Sequence, residues 1–346
     1  NDVSNRSGLK KGFDHFPTLV SKEKARVYYD YRSLHLGAYD KERFYYELDP
    51  FTIDSLATFT DENITFSGEL TSAGIFPKIR QDVKIMPDYS LGFSKEAPAD
   101  GYPFYGTAAK YNNKILLSNN GLQGGGTIDF LNSSSTSKNL FTFLPDSTIG
   151  VASFINKPQE GAIQFPDADG PDVLITFLPR EKTLKVQSYQ ESIALYNGEG
   201  EFKGTAILRE KGMRGSGIIE LNTASMMADN FDFKRWEASS DTASFQLKNN
   251  LKEEGDLIES PLSFKTDNVN GFLNFEDRKG VFTSNAGESI VEFPVNQYVC
   301  LIDQFTWMMD YDELALEKKE VDDIEISGDL DLVGPNFFSV HPRQDS

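Results

Sequence analysis

Apolar and polar residues alternate along most of the chain. The alternation is clearest in ten short segments: residues 25–31, 64–70, 83–85, 127–130, 140–143, 184–186, 204–208, 244–247, 272–275 and 290–293. A period of two places successive side chains on opposite faces of a β-strand. Gly, Asn, Asp, Pro and Ser interrupt these segments roughly every 8–12 residues, as in antiparallel all-β proteins. The pattern therefore predicts an all-β fold.

Helical periodicity is scarce. Residues 311–320 are the best candidate for a helix, and residues 21–26 favour a short helical turn. No segment sustains apolar residues at i, i+3, i+4 and i+7, which is the pattern that a long amphipathic helix requires. We therefore expect no long helix.

Part of the sequence recurs after 91 residues. Residues 105–130 align with residues 196–221 without a gap. The most similar portion pairs Gly121-Leu-Gln-Gly-Gly-Gly-Thr-Ile-Asp-Phe130 with Gly212-Met-Arg-Gly-Ser-Gly-Ile-Ile-Glu-Leu221. After a slip of one residue, Phe141-Thr-Phe143 aligns with Phe231-Asp-Phe233. Such self-similarity predicts a structural unit of about 90 residues that is used more than once.

Six glycines occupy corresponding places in the two copies: Gly121, Gly124, Gly126, Gly212, Gly215 and Gly217. Glycine permits positive-φ turns and a close approach of two backbones, so we interpret these residues as structural. A phosphate-binding loop is the functional alternative. It would end in Lys-Ser/Thr and open a helix, whereas these segments lack that ending and lead into predicted strands.

The repeat divides the chain into five predicted segments. They are an N-terminal β segment (17–60), β unit 1 (61–150), β unit 2 (151–245), a partial β unit 3 (246–316) and an acidic C-terminal tail (317–346). The pair Phe-Pro, which recurs at Phe76-Pro77, Phe165-Pro166 and Phe293-Pro294, indicates the third unit. Such units seldom bury their apolar face alone, so we expect elongated stacked β units forming a β-solenoid, jellyroll or sandwich-like structure.

Composition narrows the functional classes. The chain has 346 residues and a net charge of −19, which argues against a basic nucleic-acid groove. One cysteine excludes an internal disulfide framework and a Cys-rich zinc site. No apolar run is long enough for a transmembrane helix. The chain starts at Asn1 without a signal-peptide core, so we expect a processed product or a segment of a longer protein.

Four motifs carry a family resemblance: Gly74-Ile-Phe-Pro77, Asp88-Tyr-Ser-Leu-Gly-Phe93, Gly121-Leu122 and Asp303-Gln-Phe-Thr-Trp307. Over about residues 25–316 the chain resembles part of the large, uncharacterised β-rich envelope proteins of Bacteroidota. Its repeats are more distantly similar to the OstA-like β-jellyroll family of lipopolysaccharide transport. The resemblance implies an exported protein of the periplasm, outer membrane or cell surface. It also implies a fragment of a larger envelope polypeptide, and it carries no catalytic residues.

Asp167, Asp169 and Asp172 cluster around Gly170. Carboxylate oxygens at such spacing can hold Ca²⁺, but the bidentate acid of an EF-hand is replaced by Leu178. We therefore interpret the cluster as a polar turn, with a Ca²⁺ site as the alternative, and we expect no other cofactor. A second acidic group, Asp322, Asp323, Glu325, Asp329 and Asp331, is interpreted as a solvated face with a cation site as the alternative.

No catalytic centre stands out. A glycosidase needs two carboxylates across a cleft, and 53 acidic residues offer too many pairs to choose from. We interpret Trp236 and Trp307 as packing residues, with sugar stacking as the alternative. A triad would require His15, His35 or His341, and no nucleophile elbow is present. Cys300 lies in an apolar segment and is expected to be a buried thiol.

These observations favour a non-catalytic β scaffold of the envelope or surface. It would bind a protein partner or an amphiphile, with Phe-rich inner faces accepting acyl chains. Other envelope proteins, or the remaining domains of a longer parent chain, are the expected partners. A lipid or glycan ligand stays open. A carbohydrate-binding or carbohydrate-cleaving β-solenoid or sandwich is the alternative function.

Overall fold

The protein is built from antiparallel β-strands. A computed structural model describes residues 19–29, 38–53, 64–248, 262–285, 289–296, 298–311, 313–317 and 336–339. Within these ranges there is no α-helix, and the one helical segment is the 3₁₀ turn Pro179–Glu181. The predicted all-β class is confirmed.

In the first half of the chain, the strands up to residue 103 have at most 6 residues, and three of the later ones have 9 or 10. The strands are β1 Leu19–Ser21, β2 Ala25–Val27, β3 Phe44–Leu48, β4 Phe51–Ile53, β5 Thr65–Phe66, β6 Gly68–Ser72, β7 Ile79–Arg80, β8 Val83–Ile85, β9 Leu91–Glu96, β10 Tyr102–Pro103, β11 Lys110–Ser118, β12 Gly121–Phe130, β13 Ser133–Ser137, β14 Phe141–Leu144 and β15 Ser147–Asn156.

The second half contains the longest strands. They are β16 Ala168–Leu178, β17 Thr183–Ser188, β18 Ile193–Leu195, β19 Gly200–Arg209, β20 Gly212–Glu220, β21 Ala224–Phe233, β22 Glu237–Lys248, β23 Leu262–Asn274, β24 Lys279–Ser284, β25 Ser289–Phe293, β26 Tyr298–Ile302, β27 Gln304–Met308, β28 Glu313–Glu317 and β29 Asn336–Ser339.

Contacts divide the described residues into two compact units. The first takes the chain up to Ala152 together with Ile175–Thr183, and the second takes Ser153–Leu174 and the residues from Leu184 onward. In the first unit, β2, β3, β6 and β7 form a four-stranded sheet, and β11 lies between β9 and β12. In the second unit, β18 to β23 pair in sequence order.

The repeated sequence forms the same hairpin in each unit. β11 and β12 pair from Lys110↔Asp129 to Ser118↔Gly121, across a two-residue loop. β19 and β20 pair from Glu201↔Glu220 to Arg209↔Gly212, across a loop of the same length. Adding 91 to each residue number in the β11–β12 pairing gives the β19–β20 pairing. The following strand also corresponds, because Gly124 lies opposite Phe141 and Gly215 opposite Phe231.

The predicted third unit has a different hairpin. β23 and β24 pair from Val269↔Ser284 to Asn274↔Lys279, across a four-residue loop. The described residues of 262–317 fall in the second compact unit, where five aromatic side chains pack together. These rings are Phe245, Phe264, Phe282, Phe305 and Trp307. The predicted segment boundaries stay predictions.

Both helix predictions are wrong where the structure describes the chain. Residues 25 and 26 of the predicted turn 21–26 lie in β2, in which the Arg26 guanidinium lies 4.0 Å from the centre of the Tyr45 ring across the sheet. Residues 313–317 of the predicted helix 311–320 form β28, which places Leu314 opposite Trp307 and Leu316 opposite Phe305. Cross-strand pairing with aromatic neighbours outweighs weak helix propensity in both places.

Buried tyrosine hydroxyls connect the strands to more distant loops. The Tyr39 hydroxyl donates to the Phe143 carbonyl at 2.6 Å and accepts from the Leu122 amide at 3.1 Å. Tyr196, fully buried, donates to the Glu237 carbonyl at 2.6 Å. Burial raises the pKa of the Tyr39 phenol to about 12 and that of Tyr196 well above its ordinary value.

We expect stability to fall steeply at alkaline pH. In the unfolded chain tyrosine ionises near pH 10, whereas folded Tyr39 resists ionisation up to about pH 12. Because the folded pKa is the higher one, the stabilising contribution is complete below about pH 10 and is lost as the pH rises through the folded value. Urea unfolding at pH 8, 10 and 11 measures the slope. Tyr39→Phe should reduce that slope, and Tyr189→Phe, at an exposed ring, should leave it unchanged. Equal slopes in all three proteins would contradict this account.

Candidate functional site

Gly124 and Gly215 each lie beneath a pair of aromatic rings. A Cβ on Gly124 would lie 2.2 Å from the Tyr111 hydroxyl and 2.8 Å from the Phe143 ring. A Cβ on Gly215 would lie 3.0 Å from the Phe202 ring and 2.7 Å from Phe233. Both ring pairs are edge-to-face, with centroids 5.0 Å and 5.3 Å apart. The repeat therefore reproduces a packing arrangement in which only glycine fits.

The other four predicted glycines also hold equivalent places. A Cβ on Gly126 would lie 2.0 Å from the Asn112 carbonyl oxygen, and one on Gly217 would lie 2.2 Å from the Lys203 carbonyl oxygen. These distances reflect close approach of two backbones. Gly121 and Gly212 follow the two-residue hairpin loops with φ of 88° and 127°. Gly212 and Gly215 border a pocket in the second unit.

The inner faces of the units are filled by aromatic rings. In the first unit Phe76, Phe104, Tyr111 and Phe143 contact one another with centroids 5.0–6.0 Å apart. Each of these side chains is at most 4% exposed. Close-packed rings leave no space for an acyl chain among them. Where these rings pack, the Phe-rich face is core and not a lipid groove.

The three aspartates of the predicted calcium site lie at the start of β16. Asp169 is exposed, whereas Asp167 and Asp172 are half buried. The Asp167 backbone carbonyl accepts a hydrogen bond from the Tyr196 amide at 3.2 Å. Among the described residues no three His, Cys, Asp or Glu side chains are grouped so as to hold a metal ion. The structure thus does not group these three carboxylates as a metal site, and the Ca²⁺ hypothesis stays a prediction.

The structure also places two other candidate residues from the sequence, and further candidates lie outside the described residues. Trp307 is 2% exposed and packs against Phe245, in agreement with a packing role. Cys300 is fully buried in β26 opposite Val291, and burial raises the pKa of its thiol to about 11. The three histidines and the acidic cluster of residues 322–331 lie outside the described residues.

The second unit has a polar pocket of about 560 Å³ at one end of its strands. The fold positions its side chains from three loops: Glu199 lies in the turn between β18 and β19, Arg278 lies in the β23–β24 loop, and Asp310 follows β27. Leu221 and Trp307 contribute apolar surface, and Lys248 also lines the pocket. We call this the Arg278 pocket.

Arg278 organises the charges of the Arg278 pocket. Its Nε lies 2.5 Å from Asp310 Oδ1, and its Nη1 contacts the Glu199 carboxylate. These two hydrogen bonds raise the pKa of the guanidinium above its ordinary value. The Arg278 carbonyl also accepts from the Met309 amide at 3.1 Å. One side chain thus fixes two loops that are far apart in sequence.

Acidic groups outnumber basic ones in the Arg278 pocket. Glu201 and Glu220 line it together with Glu199 and Asp310, against Lys248 and Arg278. Ser192 donates to Glu201 at 2.5 Å, and Lys203 pairs with Glu220 at 2.8 Å. The pocket therefore presents fixed, oriented carboxylates with a negative balance, which suits a cationic group of a ligand.

A second pocket contains the other tryptophan. Trp236 is half buried, and the Arg235 guanidinium lies 3.8 Å from the centre of its ring. Gln164, Asn274 and three glutamates line the same pocket of about 370 Å³. One aromatic face among amides and carboxylates is an arrangement that can hold a polar, hydroxylated ligand.

The Arg278 pocket was missed from the sequence. Its charged residues stand in loops between strands, where alternation carries no information about spatial neighbours. The one available signal was Arg278 itself, a cation in the four-residue loop that follows the alternating segment 272–275.

No protein-family model, curated protein or solved structure matches this chain. Among the described residues, no helix is long and apolar enough to span a membrane.

We expect Gly215→Ala to destabilise the protein by about 1–3 kcal/mol, because the new methyl group would overlap two rings. Gly125→Ala is the matched control, since its Cβ would meet its nearest neighbour, Leu140, at 3.4 Å. Urea unfolding measures both. Similar losses in the two variants would show that the ring pair does not select glycine.

We expect Cys300 to be unreactive in the native protein. Burial and a pKa near 11 leave almost no accessible thiolate at pH 8. A chromogenic disulfide reagent should react with the thiol only after unfolding in urea. A variant with an additional exposed thiol, Ser94→Cys, should react at once. Rapid native labelling of the unaltered chain would contradict the assignment of Cys300 as a buried, inert thiol.

Proposed function

We propose that this chain is a non-catalytic β scaffold of the cell envelope or surface that works by binding a protein partner. The envelope location is supported by the resemblance to the β-rich envelope proteins of Bacteroidota. The binding role is supported by the structure of the units.

The observation that carries the proposal is the exact reuse of one hairpin with its rings and glycines. Both copies keep the same register, and their recurrent residues fill the interior. What recurs is therefore packing, which builds a surface and does not form a reactive centre. A ligand must then be recognised on the outside of the units.

The Arg278 pocket favours a protein partner over an amphiphile. Its walls carry four carboxylates and two cations. Burying these charged groups against an acyl chain would cost free energy, because they would lose their hydration. The negative balance there and the net charge of −19 favour a partner with a basic surface. Complementary charge would increase the association rate and select the partner.

The Trp236 pocket supports the alternative of carbohydrate binding. A half-buried indole beside amide and carboxylate side chains matches the needs of a sugar ring. The same pocket offers three glutamates from which a catalytic pair would have to come. This alternative predicts binding of glycans that is lost in Trp236→Ala.

Site-specific photo-cross-linking tests the proposal. A photoreactive amino acid at Asn222, in the Arg278 pocket, should yield a covalent protein adduct in an envelope extract of the source cells. The same group at Glu191, exposed and outside the pocket, should not. Asp310→Lys should weaken the adduct at least tenfold, whereas Asp100→Lys, a charge-matched change in the first unit, should have little effect.

Two specific results would contradict the scaffold proposal. Binding on a glycan array that disappears in Trp236→Ala, without a protein adduct at Asn222, would replace the scaffold proposal with the carbohydrate alternative. Release of reducing sugar from a polysaccharide would contradict the non-catalytic part.

A further inference from the structure

A third pocket lies on the repeated hairpin of the second unit. β19, β20 and β21 enclose a space of about 530 Å³ on the face opposite the buried side chains Ala206, Leu208 and Met213. The pairing of β20 with β21 is irregular there: Ser216 alone stands where β21 has both Asp229 and Asn230. Such a bulge bends the strand and re-aims side chains, which creates the concavity.

Three cations surround this pocket in a chain that is otherwise strongly acidic. Arg209, Lys211 and Arg214 line it, and all three are exposed. Among the described residues, Lys211 and Arg214 form no salt bridge and no side-chain hydrogen bond, whereas Arg209 has an interaction partner. Other cations of this unit do pair, as Lys203 does with Glu220. Lys211 and Arg214 are therefore available to an anion at a concave site.

The first copy of the hairpin shows that folding does not require these cations. Because the registers are identical, the residues equivalent to Arg209, Lys211 and Arg214 are the neutral Ser118, Asn120 and Gln123. Gln123 lies opposite Thr142 as Arg214 lies opposite Asp232. The same module thus forms with or without the positive charges, and packing gives no reason for them.

The polar wall is also particular to the second copy. In the first copy Leu140 lies over Gly125, with its Cδ2 3.4 Å from the position of an added Cβ. The equivalent residues in the second copy are Asn230 and Ser216, both of which line the pocket. An apolar contact is replaced by an amide and a hydroxyl, which can donate hydrogen bonds to an oxyanion.

We infer that this pocket binds a phosphoryl group of a small ligand, in a role beyond that of a protein-binding scaffold. Guanidinium groups bind phosphate oxygens in a bidentate manner. Arg209, Lys211 and Arg214 outnumber Asp229 and Asp232, so the pocket keeps a positive balance that attracts a phosphoryl group with about −1.5 to −2 charges more strongly than a single carboxylate. Salt screens the remaining acidic charge of the chain beyond about 8 Å.

Isothermal titration of the full chain with inorganic phosphate and with glucose 6-phosphate tests the inference. We expect saturable binding of one equivalent. Arg214→Gln and Lys211→Gln should each weaken it at least tenfold. The charge-matched control is Lys114→Gln, at the exposed position of the first hairpin equivalent to Thr205, and it should change the dissociation constant less than twofold.

Comparison of probes identifies the source of the anion. Tighter binding of glucose 6-phosphate than of inorganic phosphate, with none of glucose, supports a phosphorylated ligand, and the reverse order supports free phosphate. No saturable binding of either probe overturns the inference. Equal weakening by Lys114→Gln overturns it as well, and so does preferential binding of a hexaglutamate peptide.

Circular dichroism checks that each variant folds. Lys211 lies in the hairpin loop, so its variant leaves strand pairing intact.

Discussion

The fold depends on the close approach of aromatic rings to backbone that carries no side chain. Gly124 and Gly215 allow Tyr111 and Phe202 to pack closely against the neighbouring strand, each beside a second ring. A ring seated in this way buries its surface completely, and it fixes the hairpin and the next strand together. Gly126 and Gly217 extend the same constraint to the paired backbones.

Much of this could be predicted from the sequence, because strand period and repetition are local properties. The alternating segments gave the class, and the offset of 91 residues gave the correspondence between hairpins that the registers reproduce. Residues 313–317 could not be assigned correctly, since Leu314 and Leu316 fit a helix or a strand until β27 lies beside them. Nor could alternation reveal that Arg278 joins Glu199 to Asp310, because loop neighbours depend on tertiary packing.

The two faces of each hairpin have different roles, because inward residues pack the core and outward residues are exposed to ligands. One structural module can therefore serve different functions. Inward positions repeat closely, as Tyr111 and Phe202 or Phe143 and Phe233 do, because they share one packing problem. Outward positions are free to differ, as Gln123 and Arg214 do. Polar and charged pockets can therefore form on the shared hairpin without changing its core. Ligand recognition can be assigned to the outward residues alone.

The central claim is that the two hairpins are one structural module, and a segment exchange tests it most directly. Residues 121–129 would replace residues 212–220 in the full chain, and the free energy of unfolding would be measured in urea. The account predicts a cooperatively unfolding protein whose stability is close to that of the parent, because each transplanted residue meets an equivalent environment. Failure to fold, or the same loss as when the segment is inserted one residue out of register, would contradict it.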